Sequence, residues 1–266
     1  MKKKRLIPVL LLKDGSLVQS KQFTRHQNLG NPFTAVKRLS NWASDELIYL
    51  DISRRQSYSK KRTDLNFSNV FSPIELIKEV SKVCFMPITF GGGIRKLSDI
   101  ELIVKSGADK VSINTIALKD PNFIKQAAKE FGSQCIIVSV DAKLFKNSYF
   151  VMSNYGKVKT NYKIEEWCKI IQDQGAGEIL LNSVDNDGMK TGYDIKLIKN
   201  ISKISAIPVI ALGGVGDWKD FAEALEKTAV DAVAAANIFH YYDQSVFLAR
   251  KFLSDKNLNV RKPELY

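Results

Sequence analysis

Short apolar, β-prone runs alternate with amphipathic stretches along the whole of this 266-residue chain, and that alternation restricts its fold more than any other feature. The runs fall at 5–12, 47–52, 87–90, 109–113, 135–141, 178–182, 207–211 and 231–236. Helical periodicity marks 73–83, 97–106, 121–131, 164–174, 195–204 and 218–228 between them. A strand that is apolar throughout must be covered on both faces, as in a parallel sheet flanked by helices. Eight such βα units predict an α/β protein of the closed (β/α)8 TIM-barrel type, one domain spanning 1–266. A doubly wound sheet usually has fewer strands and an early dinucleotide fingerprint, and no GxGxxG follows the first run.

The chain also resembles itself. ITFGGGIRKLSDIELIVKSGADKVSIN (88–114) aligns with a stretch over 210–236, matching Gly91 and Gly92 to Gly213 and Gly214, and Asp109 to Asp231. RLIPVLLLKDG (5–15) aligns with CIIVSVDAKLF (135–145), which sets Leu11 opposite Asp141. Glu46 in DELIYLDI matches Glu178 in GEILLNSV. Three pairs in one order describe two fused half-barrels of four βα units each.

Composition narrows the function classes. No run approaches the ~18 apolar residues of a membrane span, and no membrane role is expected. MKKKRLIPVLLL imitates a signal peptide, but its apolar stretch is short and no small-residue cleavage site follows, so it reads as a first barrel strand. Cys84, Cys135 and Cys168 are odd in number and far apart, the usage of reduced core thiols in a cytoplasmic protein. The net charge of +12 is spread along the chain without a nucleic-acid-binding motif. It implies a solvated basic surface, or phosphate-bearing and acidic partners, and no nucleic acid.

Function in a barrel gathers on the loops after the strand C-termini. Gly91-Gly92-Gly93 and Gly213-Gly214 occupy two such loops, and Ser112-Ile113-Asn114-Thr115 and Ala235-Ala236-Asn237 end the strands that follow them. Glycine lets backbone N–H groups close on a phosphate. Two symmetric copies predict an elongated ligand with a phosphate at each end. The loop 182–188 is Asp-rich but lacks calcium-loop spacing, and reads as a polar wall of the site; no metal or cofactor is expected. His26 and His240 stand alone and are assigned structural or surface roles.

At the opposite end, the inward parity of strand 1 reaches Arg5, and the starts of strands 2, 4 and 6 carry Glu46, Lys110 and Glu178. They are either a neutral ring across the barrel floor or separate strand-end charges.

These motifs resemble the cyclase subunit of imidazole glycerol phosphate synthase along essentially the whole chain. The likeness is carried by KDG (13–15), DELIYLDI (45–52), FGGGI (90–94), GADKVSINT (107–115), FGSQCIIVSVDAK (131–143), GAGEILLNSVDNDG (175–188), TGYD (191–194), GGVG (213–216) and AAANIFH (234–240). The resemblance implies a barrel paired with a glutaminase at its bottom. Ammonia would pass a charged gate of Arg5, Glu46, Lys110 and Glu178 to a bis-phosphorylated substrate held by Gly93, Asn114, Asp187, Gly188, Gly213, Gly214, Ala236 and Asn237. It assigns the catalytic acid to Asp141. The base position, however, holds Leu11, the mobile-loop lysine is replaced by Gln19, and the loop at about 53–71 is longer and basic. General-base catalysis contributes roughly 10²–10⁴ in rate, so cyclase activity is expected to be impaired. The pattern resembles paralogues of surface-polysaccharide pathways, which implies an ammonia conduit serving an amidotransferase at the barrel top, with the loop docking that partner, or an anionic sugar nucleotide, through Arg54, Arg55, Lys60, Lys61 and Arg62. The alternative is a working cyclase of histidine biosynthesis with Asp14 or Asp51 replacing the base. A third reading is a scaffold without a channel.

Overall fold

A computed structural model describes residues 2–42, 44–53, 58, 72–240 and 245–264. In chain order the first half is β1 (Arg5–Lys13), β2 (Ser16–Lys21), β3 (Arg25–Gly30), α1 (Pro32–Asn41), β4 (Leu47–Asp51), α2 (Pro73–Ser81), β5 (Ile88–Gly91), α3 (Leu97–Lys105), β6 (Lys110–Ile113), α4 (Thr115–Lys119) and α5 (Asn122–Phe131). The second is β7 (Ile136–Phe145), β8 (Ser148–Ser153), β9 (Val158–Lys163), α6 (Ile164–Asp173), β10 (Glu178–Ser183), α7 (Ile195–Ile204), β11 (Val209–Leu212), α8 (Trp218–Lys227), β12 (Ala232–Ala235) and α9 (Ser245–Asp255). Strands β1, β4, β5, β6, β7, β10, β11 and β12 pair in parallel, each with the next, and β12 returns to β1. That closes the expected eight-stranded (β/α)8 barrel.

Two apolar layers hold it. Outward side chains such as Leu6, Leu10, Leu12 and Tyr49 pack under the helices, while Ile7, Val9, Ile48, Ile137, Leu180 and Ile210 fill the inside with Ala232 and Ala234. The small β12 residues leave room for the branched side chains opposite, as barrel layers require. Helix starts follow local chemistry: Asn31 and Ser72 accept from backbone N–H groups ahead of a proline in α1 and α2, and Asp194 and Asp217 do the same for α7 and α8.

The half-barrel repeat is written in hydrogen bonds. Asp109 accepts from the Ile88 N–H at 2.8 Å, and its counterpart Asp231 accepts from the Val209 N–H at 3.0 Å. Asp99 caps α3 as Asp220 caps α8. Because α8 is one residue longer than α3, the glycines match one place differently from the sequence alignment: Gly92 and Gly93, both at positive φ, correspond to Gly213 and Gly214. Each half also carries an antiparallel hairpin that the apolar patterning does not reveal, β2–β3 after β1 and β8–β9 after β7. Their strands are polar and exposed on one side, so the hydrophobic signal is weak.

Candidate active site and conduit

Four charged side chains close the barrel floor. Arg5 donates to Glu46 and, at 2.8 Å, to Glu178 Oε2. Lys110 Nζ lies 3.0 Å from Glu46 and 2.7 Å from Glu178. Each carboxylate thus bridges both cations, and the ring is neutral. The alternative of separate strand-end charges is set aside. Burial alone would lower the Arg5 pKa, but the hydrogen bond to Glu178 and the charge of Glu46 together push it above its ordinary value. Burial likewise opposes ionisation of Glu178, and Arg5 and Lys110 outweigh it, so its carboxyl lies below the usual range. Such groups stay inside only because each meets its opposite.

Above the ring the inward positions divide by chemistry. On β1, β4, β10 and β11 they are Ile7, Val9, Leu11, Ile48, Leu50, Leu180, Ile210 and Leu212. On β5 and β6 they are Thr89 and Ser112, whose buried hydroxyls have no hydrogen-bond partner among the described residues, and on β7 Ser139 lines the cavity. A hydroxyl strip therefore climbs from beside Lys110 toward Asp141. Sequence reasoning missed it, although inward parity from Lys110 (Ser112, Asn114) and from Asp141 (Ser139, Ile137) was available.

At the mouth a cavity of about 1040 Å³ opens, floored by Val9, Ser112 and Ser139. Asp141 stands in its wall, accepting from Asn114 Nδ2 at 2.9 Å and Asn182 Nδ2 at 3.3 Å. Burial pushes its carboxyl up to about 6 against the pull of those two amides, and the Asp187 charge adds to the rise. The repeat mate of Asp141 is Leu11. Asp141 is in register with Asn182, whereas Leu11 is in register with Leu50. One side of the mouth can hold or release a proton; the other cannot. Asp51 also reaches the cavity, but it is in register with Leu12, which points outward into the helix-facing core. It is fixed by the Ser53 N–H at 2.8 Å and the Tyr58 hydroxyl at 3.0 Å. Burial raises its carboxyl, opposed by those hydrogen bonds. Asp14 is exposed in the turn after β1, at φ 50°.

The two expected phosphate cradles differ. Gly93 and Asn114 face the cavity, as do Asp187 and Ala236. Gly188, Gly213, Gly214 and Asn237 do not line it: the β2–β3 hairpin lies over Gly188 and Asn237, while Gly213 packs on Asn182 and Ser183 and Gly214 on Gly192 and Asn186. Ser20 Oγ donates to Asp187 at 2.8 Å, the Gln22 N–H donates to the Asp187 carbonyl at 2.9 Å, and Asn237 Nδ2 donates to the Ser20 carbonyl at 3.0 Å. A side chain at Gly188 would stand 2.2 Å from that same carbonyl. The tip of the hairpin meets its counterpart from the other half, with the Phe23 ring against Gly156. Both tips carry an aromatic residue in the left-handed region, Phe23 at φ 57° and Tyr155 at φ 58°. Both line the cavity, and so does His26, which was expected in a structural or surface role. Burial, then the neighbouring Lys13 charge, lowers the His26 pKa. Burial, and secondarily Arg38, brings His240 down to about 4. Gln19 lies on β2, opposite Gln27 of β3. Of the basic loop, only Ser53 and Tyr58 belong to the described residues; Arg54, Arg55, Lys60, Lys61 and Arg62 lie outside them. Among the described residues, no group of three His, Cys, Asp or Glu side chains is placed to hold a metal, and no helix is long and apolar enough to cross a membrane. The three cysteines are free and buried.

A family model described as "Histidine biosynthesis protein" matches residues 5–245. The HisF subunit of imidazole glycerol phosphate synthase from Hydrogenobaculum sp. (strain Y04AAS1) is 43% identical over 259 residues, covering 97% of this chain and 98% of the relative. The chain belongs to this family. It is a HisF-type chain, related along its length to the cyclase subunit of that synthase. The HisF subunit of Campylobacter concisus (strain 13826) is 40% identical, covering 97% of this chain and 98% of its own. A Vibrio vulnificus (strain YJ016) protein provisionally named imidazole glycerol phosphate synthase subunit hisF2 is 42% identical, covering 98% and 92%. The HisF-type motifs quoted above therefore lie on a closed barrel with one carboxylate, Asp141, and one leucine, Leu11, at its repeat-related mouth positions.

Proposed function

We propose that this HisF-type barrel conducts ammonia, from a glutaminase subunit seated at its floor to an acceptor reaction at its mouth, and has lost most of its own cyclase chemistry. The observation that carries the reading is the pairing of an intact ring with an aliphatic Leu11 opposite Asp141. Delivery of a small neutral molecule needs a floor that can part and an apolar interior; the ion-paired ring and the apolar layer of Ile7, Val9, Ile48, Leu180 and Ile210 support this reading. Cyclisation needs a proton removed as well as donated, and no group at Leu11 accepts one. The hydroxyls of Thr89 and Ser112 supply hydrogen-bonding stations for ammonia between ring and mouth. The acceptor in this reading is a nucleotide-linked sugar, amidinated by a third protein during surface-polysaccharide synthesis. The open Gly93–Asn114 cradle binds a phosphorylated ligand.

The competing reading, an active cyclase of histidine biosynthesis, draws on the names of the relatives and on Asp51 in the cavity wall. Asp51 has the wrong parity and is held by Ser53 and Tyr58, which counts against it. Expression in a histidine auxotroph lacking its cyclase separates the two: the conduit reading expects no growth without histidine, and growth at the normal rate contradicts it. The pure scaffold makes a different prediction, that Lys110→Ala leaves transfer of the glutamine amide nitrogen unchanged.

A further inference from the structure

The two halves of the mouth no longer match. In the first half Gly92 and Gly93 stand at φ 113° and 70° and line the cavity together with Arg95 and Thr115. Lys119, at the end of α4, lines it too, and both Arg95 and Lys119 are exposed. In the second half the equivalent turn is filled by the chain itself: the Gly192 N–H donates to the Gly214 carbonyl at 2.9 Å, and Asn237 Nδ2 donates to the Ser20 carbonyl. A ligand with a phosphate at each end therefore finds one open seat. Two cations beside one Gly-rich turn suit two adjacent negative charges, those of a diphosphate. The carboxylate nearest that turn is Asp51, whose carbonyl a side chain on Gly92 would strike; its oxygens are engaged by the Ser53 N–H and the Tyr58 hydroxyl. Asp99 and Asp120, close in sequence, accept from backbone N–H groups ahead of α3 and α5 and do not line the cavity.

The far wall is aromatic. The β8–β9 tip lies over the end of β10, its Gly156 against Phe23 and Val184. Around the barrel β10 is separated from β5 by β6 and β7. Tyr155 on that tip lines the cavity and is 45% exposed, in the left-handed conformation noted above. Such a conformation persists where the surrounding structure holds it, and it gathers at ligand sites. The ring offers a flat apolar face, and Asn154 beside it adds an amide to the same wall. A sugar presents the matching surfaces, C–H faces for the ring and hydroxyls for the amide. Between the two walls stand Asp141 on β7 and Asn182, 3.3 Å apart, where the hydroxyl strip from the floor ends.

We infer that the mouth binds the glycosyl diphosphate portion of a nucleotide-linked sugar, with the diphosphate on Gly93, Arg95 and Lys119 and the sugar against Tyr155, above Asp141. The inference rests on the conduit reading and deepens it. The acceptor is held by this chain at the point where ammonia leaves it, and the third protein acts on a sugar already in place. Asp141 and Asn182 then orient sugar hydroxyls, while Leu11, Leu50 and Leu212 keep the ammonia exit apolar.

The test is isothermal titration calorimetry of the purified full-length chain with UDP-N-acetylglucosamine and GDP-mannose, and with UDP and GDP as their sugarless counterparts. At least one sugar nucleotide should bind at a single site. Arg95→Gln should weaken that sugar nucleotide and its sugarless diphosphate alike, by about tenfold. Tyr155→Gly should weaken the sugar nucleotide by about tenfold and leave the sugarless diphosphate unchanged. Thermal denaturation checks that both variants remain folded. Failure of all four probes to bind the wild type overturns the inference, and so does a sugar nucleotide whose affinity ignores both substitutions. The conduit reading is decided separately. A chain that passes on the glutamine amide nitrogen yet binds none of the probes keeps the conduit and loses this site, whereas growth of the complemented histidine auxotroph contradicts the conduit whatever the titrations give.

Discussion

Replacing Asp141 by asparagine should make this protein more stable at neutral pH and no more stable in acid. The carboxyl is raised from 3.8 to about 6, so the folded chain holds a proton that the unfolded chain has already released. An acid raised in this way costs stability as pH climbs through the window between those values, and the full cost is present above it. Two pKa units at about 1.4 kcal/mol each amount to about 3 kcal/mol. Asparagine removes the ionisation while preserving shape. It also introduces a donor among donors, but Asn182 Oδ1 has no partner among the described residues, and a flip of that amide supplies the acceptor. Allowing for the cavity's solvent, we expect a gain of about 2 kcal/mol at pH 7.5, or roughly 4–8 °C in Tm for a chain of this size. The gain should shrink through pH 6 and vanish near pH 4. Urea titrations of both proteins across that range measure it directly. A difference that stays constant with pH, or that favours the wild type at pH 7.5, would refute a desolvated carboxylate at the mouth.

The ring gives the opposite pH signature. Glu178→Gln leaves Arg5 and Lys110 sharing Glu46 and should cost about 2–4 kcal/mol at pH 7; since the Glu178 carboxyl is depressed, the cost should fade as pH drops below about 4, which the same titrations would reveal. Tyr155→Gly relieves a left-handed backbone at φ 58° and should stabilise the fold by about 1 kcal/mol, read as a higher Tm, while weakening any ligand that packs on the ring. Leu11→Asp sets a carboxylate beside Val9 and Leu50 and should lower stability by about 2 kcal/mol, measurable by the urea midpoint.

The barrel was legible because its strands are apolar on both faces and its helices keep a strict period: the α7 span of 195–204 matches the structure residue for residue. The ring was legible as a parity argument, since Arg5 is inward whenever Leu11 and Asp141 are inward. Whether four strand starts would meet was not, because it depends on the barrel's stagger, which no local pattern encodes. The hairpins were missed for a different reason. Leu17 and Val18 pack inward, but β3 and β9 are mostly exposed and polar; the first turn uses Gln22-Phe23 in place of the glycine-containing pairs that announce a hairpin, whereas the second, Asn154-Tyr155-Gly156, carried that signal and was passed over. That omission hid the cover over Gly188 and Asn237. The one-residue slip in matching glycines arose from the extra residue in α8, which a gapless comparison absorbs at the wrong end.

In the proposed reading the mouth keeps its acid and has lost its base. The most direct measurement is steady-state turnover of the bis-phosphorylated ribulose precursor of imidazole glycerol phosphate by the purified chain, with saturating ammonium salts at alkaline pH, compared with Leu11→Asp. The account predicts turnover at least about 10²-fold below an active HisF subunit, with a rise on restoring the carboxylate. Turnover at the ordinary rate by the unaltered chain would contradict it.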